Sequence, residues 1–220
     1  MIVSLMEASR EKCEEKAAQT IAFKLKELVK KNGNVVFGVP GGRSVESIFT
    51  KLLKSDVPWQ QVHIFMVDER CVSINSTESN YKAIYGTFLQ PLITQGKLRK
   101  ENVHPFIYNE NQKIESVNSY KDTLNIHGGK FDLILLSSGE DGHLAALFPG
   151  HHSITNETND FSIMKDSPKP PKERMTSSHK LLQTAQVSIL LFFGKEKEKA
   201  FENFKKSDLI VNETVQDRND

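Results

Sequence analysis

Residues 131–150 read FDLILLSSGEDGHLAALFPG. The first six form a short, nearly continuous apolar run, bounded by Gly-Gly-Lys before and two serines after. A run of that length and composition predicts a strand buried on both faces. Such strands belong to parallel sheets covered by helices, so this reading decides the fold class. In open α/β sheets ligands gather outside the carboxyl ends of the strands. The segment after this strand, GEDGH, therefore has to be read for chemistry. Taken alone it admits three readings: a glycine turn with a bystander His143, a metal site, or a catalytic base.

Working outward, the same alternation recurs. Apolar residues Ala17, Ala18, Ile21, Leu25 and Leu28 give one stripe of a helix over 10–31. NVVFGV (34–39) predicts a strand, and Val45, Ile48, Phe49, Leu52 and Leu53 predict an amphipathic helix after it. VHIFMV (62–67) is the next strand, DERCVSINSTESN (68–80) a polar loop, and 81–93 a helix. A short strand is expected at 102–107 and a helix near 111–125. A helix is expected to start at DGH, followed by a polar rim or lid over 151–173. A strand at RMTSS (174–178) followed by a short helix, a strand at VSILLFF (187–193) and a final helix from GKEKEKA complete the series. The pattern predicts an α/β fold with a largely parallel β-sheet and helices on both faces, as one domain over residues 1–220.

Composition narrows the function classes. The chain has 220 residues, 38% of them hydrophobic, which suits a sizeable core. A net charge of +1 with 26% charged residues argues against a nucleic-acid partner. Two cysteines, Cys13 and Cys71, do not make a disulfide framework and favour a reducing cytoplasm. No stretch approaches the roughly 18 apolar residues of a membrane span, and the N-terminus lacks the basic start of a signal peptide.

Four segments at strand ends carry unusual side chains. In GVPGGRS (38–44), Gly41 and Gly42 allow backbone to approach a ligand, Ser44 is expected to cap the next helix, and Arg43 adds a guanidinium. A helix N-terminus of this kind suits a phosphate, although an ordinary turn fits equally well. It is neither GxGxxG nor a Walker A loop, so no nucleotide cofactor is expected. In VDER (67–70), the two acids Asp68 and Glu69 with Arg70 could orient a sugar hydroxyl and clamp a phosphate, and a solvated charged turn is the plainer reading. In GEDGH, Asp141 stands two residues from His143 and could set its tautomer. His151 and His152 are adjacent rather than at i, i+4, and no HExxH or Cys cluster exists, so no metal is expected. Lys169, Lys172, Arg174, Lys195 and Lys197 read mostly as surface charges, one or two of which could reach a phosphate. Ser137 and Ser138 lack a GxSxG elbow, and Cys71 reads as a buried bystander.

Together GVPGGRSVESIF, Trp59 with VHIFMVDERCV, ESNY (78–81), FDLILLSSGEDGHLAALFPG, and SPKPPKERMT with GKEKEKA resemble the 6-phosphogluconolactonases of the glucosamine/galactosamine-6-phosphate isomerase superfamily. The resemblance spans roughly residues 10–205. It implies a Rossmann-like fold (NagB/RpiA/CoA transferase-like) and metal-independent hydrolysis of a small phosphosugar lactone, 6-phospho-D-glucono-1,5-lactone. His143 matches the catalytic histidine that activates water, and Asp141 would orient it. Gly42, Arg43 and Ser44 match a loop near the sugar phosphate, and Arg70, Arg174 and Lys197 its basic neighbours. Such a reaction also needs oxyanion stabilisation, for which backbone N–H groups near Gly142 are one candidate source and the sequence identifies no donor. Ser137 stands where that family usually has glycine, Ala146 where serine is common, and only about fifteen residues follow Lys205, so either a shortened last element or a truncated form is expected. The alternatives are a glucosamine-6-phosphate isomerase/deaminase and a non-catalytic sugar-phosphate-binding protein. The deaminases typically follow DGH with Asn-Glu-Pro, where this chain has LAALFPG, with no acid between Asp141 and Glu157.

Overall fold

The computed structural model describes residues 9–42 and 44–206. Arg43 and the C-terminal stretch beyond Lys206, on which the shortened last element was expected, lie outside the described residues. Helix α1 (Arg10–Asn32) starts where Ser9 accepts from the Lys12 amide and ends at Gly33, whose φ of 79° favours glycine. Strand β1 (Val35–Val39) follows, then α2 (Glu46–Leu52), β2 (Val62–Met66) and β3 (Asp68–Arg70). The next helix runs as α3 (Asn80–Ile84), a π-helical turn (Tyr85–Leu89) and α4 (Gln90–Thr94). After it come β4 (Val103–His104), α5 (Lys113–Ile126), β5 (Leu133–Ser137), β6 (Phe161–Met164), β7 (Arg174–Ser177), α6 (His179–Gln183), β8 (Val187–Leu191) and α7 (Glu198–Lys206).

Five strands form a parallel sheet in the order β4-β2-β1-β5-β8. Alternation along each strand splits its side chains between two cores. Phe37, Ile64, Leu133 and Ile189 pack with Ile21 and Leu25 of α1, Phe49 of α2 and Phe88 of the π turn. Val36, Phe65, Ile134 and Leu136 pack with Tyr120 and Leu124 of α5 and Leu181 of α6. Helices therefore cover both faces, as the apolar runs predicted. Among the described residues no helix is long and apolar enough to cross a membrane.

Three expectations fail locally. The DER segment is a strand, not a loop: it pairs antiparallel with β7, which pairs with β6, making a second sheet of three strands. Its polarity disguised it, because Asp68 and Glu69 are buried among hydrogen-bond donors rather than solvated. No helix begins at DGH. Residues 139–150 form successive turns, with Gly142 N–H donating to the Gly139 carbonyl and Ala145 held at a φ of 52°. Ser44 does not cap α2. The capping position is Val45, and the Ser44 hydroxyl instead donates to Ser137 Oγ at 2.9 Å.

At the β4 edge, His63 of β2, His104 of β4 and His127 at the end of α5 lie together. Burial and the neighbouring imidazoles push His63 down to about 4 and His104 to about 3, and burial lowers His127, so all three rings are uncharged near neutral pH.

Candidate active site

The site gathers at the carboxyl ends of β1 and β5 and along β3. After β5 the chain passes Ser138 and Gly139. A Cβ at position 139 would lie 2.1 Å from the His143 ring and 2.6 Å from Asp141 Oδ1, so only glycine fits there. Gly142, at a φ of 89°, reverses the chain. The two glycines thus fold Asp141 and His143 onto each other, and His143 Nδ1 lies 2.5 Å from Asp141 Oδ1. A carboxylate only accepts, so Nδ1 carries the proton and Nε2 keeps the basic lone pair. The Phe148 ring backs the imidazole at 4.6 Å. Burial holds the His143 pKa below the ordinary value, against the pull of Asp141, leaving a neutral base at neutral pH. Burial opposes the Asp141 charge, but the contacts with His143 and Lys169 outweigh it and hold its pKa low.

The second wall is built by β3. Glu69 accepts from the amides of Arg70, Asn80 and Tyr81 and from the Ser79 hydroxyl, so one buried carboxylate fixes the start of α3. Burial pushes its pKa up, opposed by those amides. Asn80 in turn donates to the Asp68 carbonyl at 3.0 Å and its carboxylate at 3.3 Å. A Cβ on Gly41 would lie 2.3 Å from the Asn80 side chain, which explains the glycine there. Asp68 is buried, which raises its pKa; Arg70, Arg174 and His143 surround it closely enough to oppose that shift. Arg70 donates to the Glu78 carbonyl through Nη1, while its Nε has no acceptor among the described residues. Arg70, Gly42, Ser79 and Asn80 line a cleft of about 320 Å³.

The remaining cations divide into two kinds. Arg174 is buried, with Nε and Nη2 donating to the carbonyls of Lys169, Pro170 and Pro171, so much of its guanidinium braces the SPKPP loop. That loop carries Lys169, whose Nζ lies 3.2 Å from the same Asp141 oxygen that holds His143. Lys197 is half-buried, which lowers its pKa, and it senses Glu196, Glu140 and Lys169.

Asp68, Arg70, Arg174 and His143, with Asp141 on His143, therefore share one field, while Gly41 lies against Asn80, Gly42 lines the cleft with Arg70, Ser44 meets Ser137, and Lys197 senses Glu140 and Lys169. Of the backbone N–H groups near Gly142, that of Gly142 itself is committed to the Gly139 carbonyl. His151 and His152 pair with Asp166 rather than with His143. Sequence reading missed Glu69 and Asn80 as a framework, and Lys169 as the second partner of Asp141. Ser79 as a helix cap was the one local signal for the first two.

Such a fold and site define a Rossmann-like α/β protein with a carboxylate-held imidazole at the strand ends of its parallel sheet. The chain belongs to the family of glucosamine-6-phosphate isomerases/6-phosphogluconolactonase, whose model matches residues 8–214. The 6-phosphogluconolactonase of Borreliella burgdorferi is 32% identical over 185 residues, covering 84% of this chain and 79% of that protein. The crystal structure of the 6-phosphogluconolactonase of Thermotoga maritima superposes with a TM-score of 0.79 at 26% identity, covering 94% and 90% of the two chains. A monomeric glucosamine-6-phosphate deaminase shares the fold with a TM-score of 0.78 at 18% identity, covering 96% and 89%.

Proposed function

We propose that this chain hydrolyses 6-phospho-D-glucono-1,5-lactone to 6-phosphogluconate, the lactone-opening step of the oxidative pentose phosphate pathway, with His143 as general base. The observation that carries this reading is the 2.5 Å Asp141–His143 pair, which leaves a neutral Nε2 in the same electrostatic surroundings as Asp68, Arg70 and Arg174. His143 Nε2 takes a proton from water as the water oxygen bonds to the lactone carbonyl carbon. The tetrahedral intermediate then collapses, the bond to the ring oxygen breaks, and the imidazolium returns its proton to that oxygen. Asp141 keeps Nδ1–H pointing away from the reaction and stabilises the imidazolium. A δ-lactone is already reactive, so one base contributing about 10²–10⁴-fold, with good positioning, suffices.

Positioning falls to the phosphate. Gly41, Gly42, Arg43, Ser44 and Arg70 hold it, with Lys197 at the rim, and Asp68 takes a sugar hydroxyl. Arg174 acts mainly by holding the Lys169 loop and neutralising Asp68. These residues act within one catalytic domain, and two free cysteines suit a cytoplasmic location.

The deaminase reading is weaker, although that fold is shared. Aldose–ketose isomerisation needs a base at C2 as well as a ring-opening histidine, and residues 142–156 supply no acid. The test is a pair of assays on one preparation, lactone disappearance and glucosamine-6-phosphate deamination. Fast lactone loss with no ammonia release supports the proposal, and the reverse result overturns it. Binding of phosphosugars without turnover of either substrate would favour a sensor.

A further inference from the structure

Three of the chain's seven histidines converge away from Asp141 and His143. His63 is the second residue of β2, and the chain needs five more residues, about 16 Å at ~3.3 Å each, to reach Asp68. His104 sits on the neighbouring β4, and His127 follows the last turn of α5. One ring nitrogen of each lies within 4.8 Å of the other two. His63 Nδ1 is 3.1 Å from His104 Nε2, and the His127 ring lies over that of His63 at 3.8 Å. Phe65 forms a wall at 4.3 Å behind His104. None of these side chains takes part in lactone hydrolysis.

We propose that His63, His104 and His127 form a binding site for a borderline transition-metal ion, with Zn²⁺ as the type case, that pins β2, β4 and α5 together. The ligand set selects the class of ion. Three neutral imidazoles suit zinc, copper or nickel, whereas magnesium and calcium take oxygen ligands. Two nitrogens bound at about 2.0–2.1 Å to a tetrahedral Zn²⁺ lie about 3.3 Å apart. His63 and His104 stand near that spacing already. His127 is the least enclosed of the three and closes in from the helix end, with water taking the fourth position. A hydrogen bond between His63 and His104 accounts for their contact but gives no reason for the third ring. His151, His152 and Asp166 also lie close enough to share an ion, on an exposed loop, and serve as the internal control.

The test uses the tag-free full chain after metal depletion. Zn²⁺ is titrated calorimetrically and by thermal unfolding, and Co²⁺ by visible absorption. One ion per chain is expected, raising Tm by roughly 5–10 °C at a hundredfold excess over Kd. His127→Ala, the variant least able to disturb packing, should keep the metal-free Tm yet weaken binding by at least about tenfold. His63→Gln should do the same, while His143→Ala, His152→Ala and Asp166→Asn should leave the shift in place. No response in the wild type overturns the proposal. So does a response that survives His63→Gln and His127→Ala but disappears in His143→Ala or His152→Ala.

Discussion

His143 is half-buried beside a carboxylate, and the desolvation wins: its pKa falls below the ordinary value of ~6.5. The base must be neutral to work, so kcat/KM should fall on the acid side with a limb below pH ~6.5. Asp141 favours the imidazolium, so Asp141→Asn should move that limb to still lower pH while forfeiting part of the ~10²–10⁴-fold general-base effect. A limb that moves upward in this variant contradicts the assigned roles. Arg70 is tested by substrate choice. Arg70→Ala should raise KM strongly for the phosphorylated lactone and little for gluconolactone, and an equal rise for both removes it from the phosphate site. At this scale the sequence was legible where chemistry is local. Asp141, Gly142 and His143 stand together, so their geometry follows from glycine turns. Lys169 reaches Asp141 from 28 residues away, on a loop held by Arg174, and no spacing rule reports such a contact.

Strand β3 shows how an element can hide in a polar sequence. Glu69 is 1% exposed because four donors meet its two oxygens, and α3 begins on it. Glu69→Gln replaces one accepting oxygen with an NH₂ group and faces donors with donors. It should destabilise the fold by about 1–3 kcal/mol in urea unfolding, the cost of leaving buried polar groups unpaired. It should also raise KM, because Asn80 and Arg70 are placed by the same network. An unchanged unfolding midpoint would falsify the framework role. The strands β1, β2, β5 and β8 were readable because burial on both faces leaves a continuous apolar run. Of the small antiparallel sheet only β7 was readable, as RMTSS; its pairing was not, because β3 and β7 meet across about a hundred residues, and β6 lies in a polar stretch.

At the scale of the whole molecule, the parallel sheet supports the site by fixing where β1, β2 and β5 end. Phe88 is fully buried, stacked on Phe49 at 4.6 Å and edge-on to Trp59 at 5.4 Å, on the face opposite α5. Phe88→Ala should cost about 3–5 kcal/mol of stability. The acid limb of kcat/KM should not move, since His143 lies in other surroundings. A shifted limb would couple that core to the base. The fold class was legible from alternating strand and helix patterns, but the strand order β4-β2-β1-β5-β8 was not, because pairing partners leave no local trace. The central claim is that the Asp141–His143 pair performs the hydrolysis. Its most direct test is turnover of 6-phosphogluconolactone by His143→Ala, measured against spontaneous hydrolysis, with circular dichroism verifying the fold. The account predicts a folded protein whose rate drops by about 10²–10⁴-fold toward the spontaneous background. Near-wild-type turnover in that variant would contradict it.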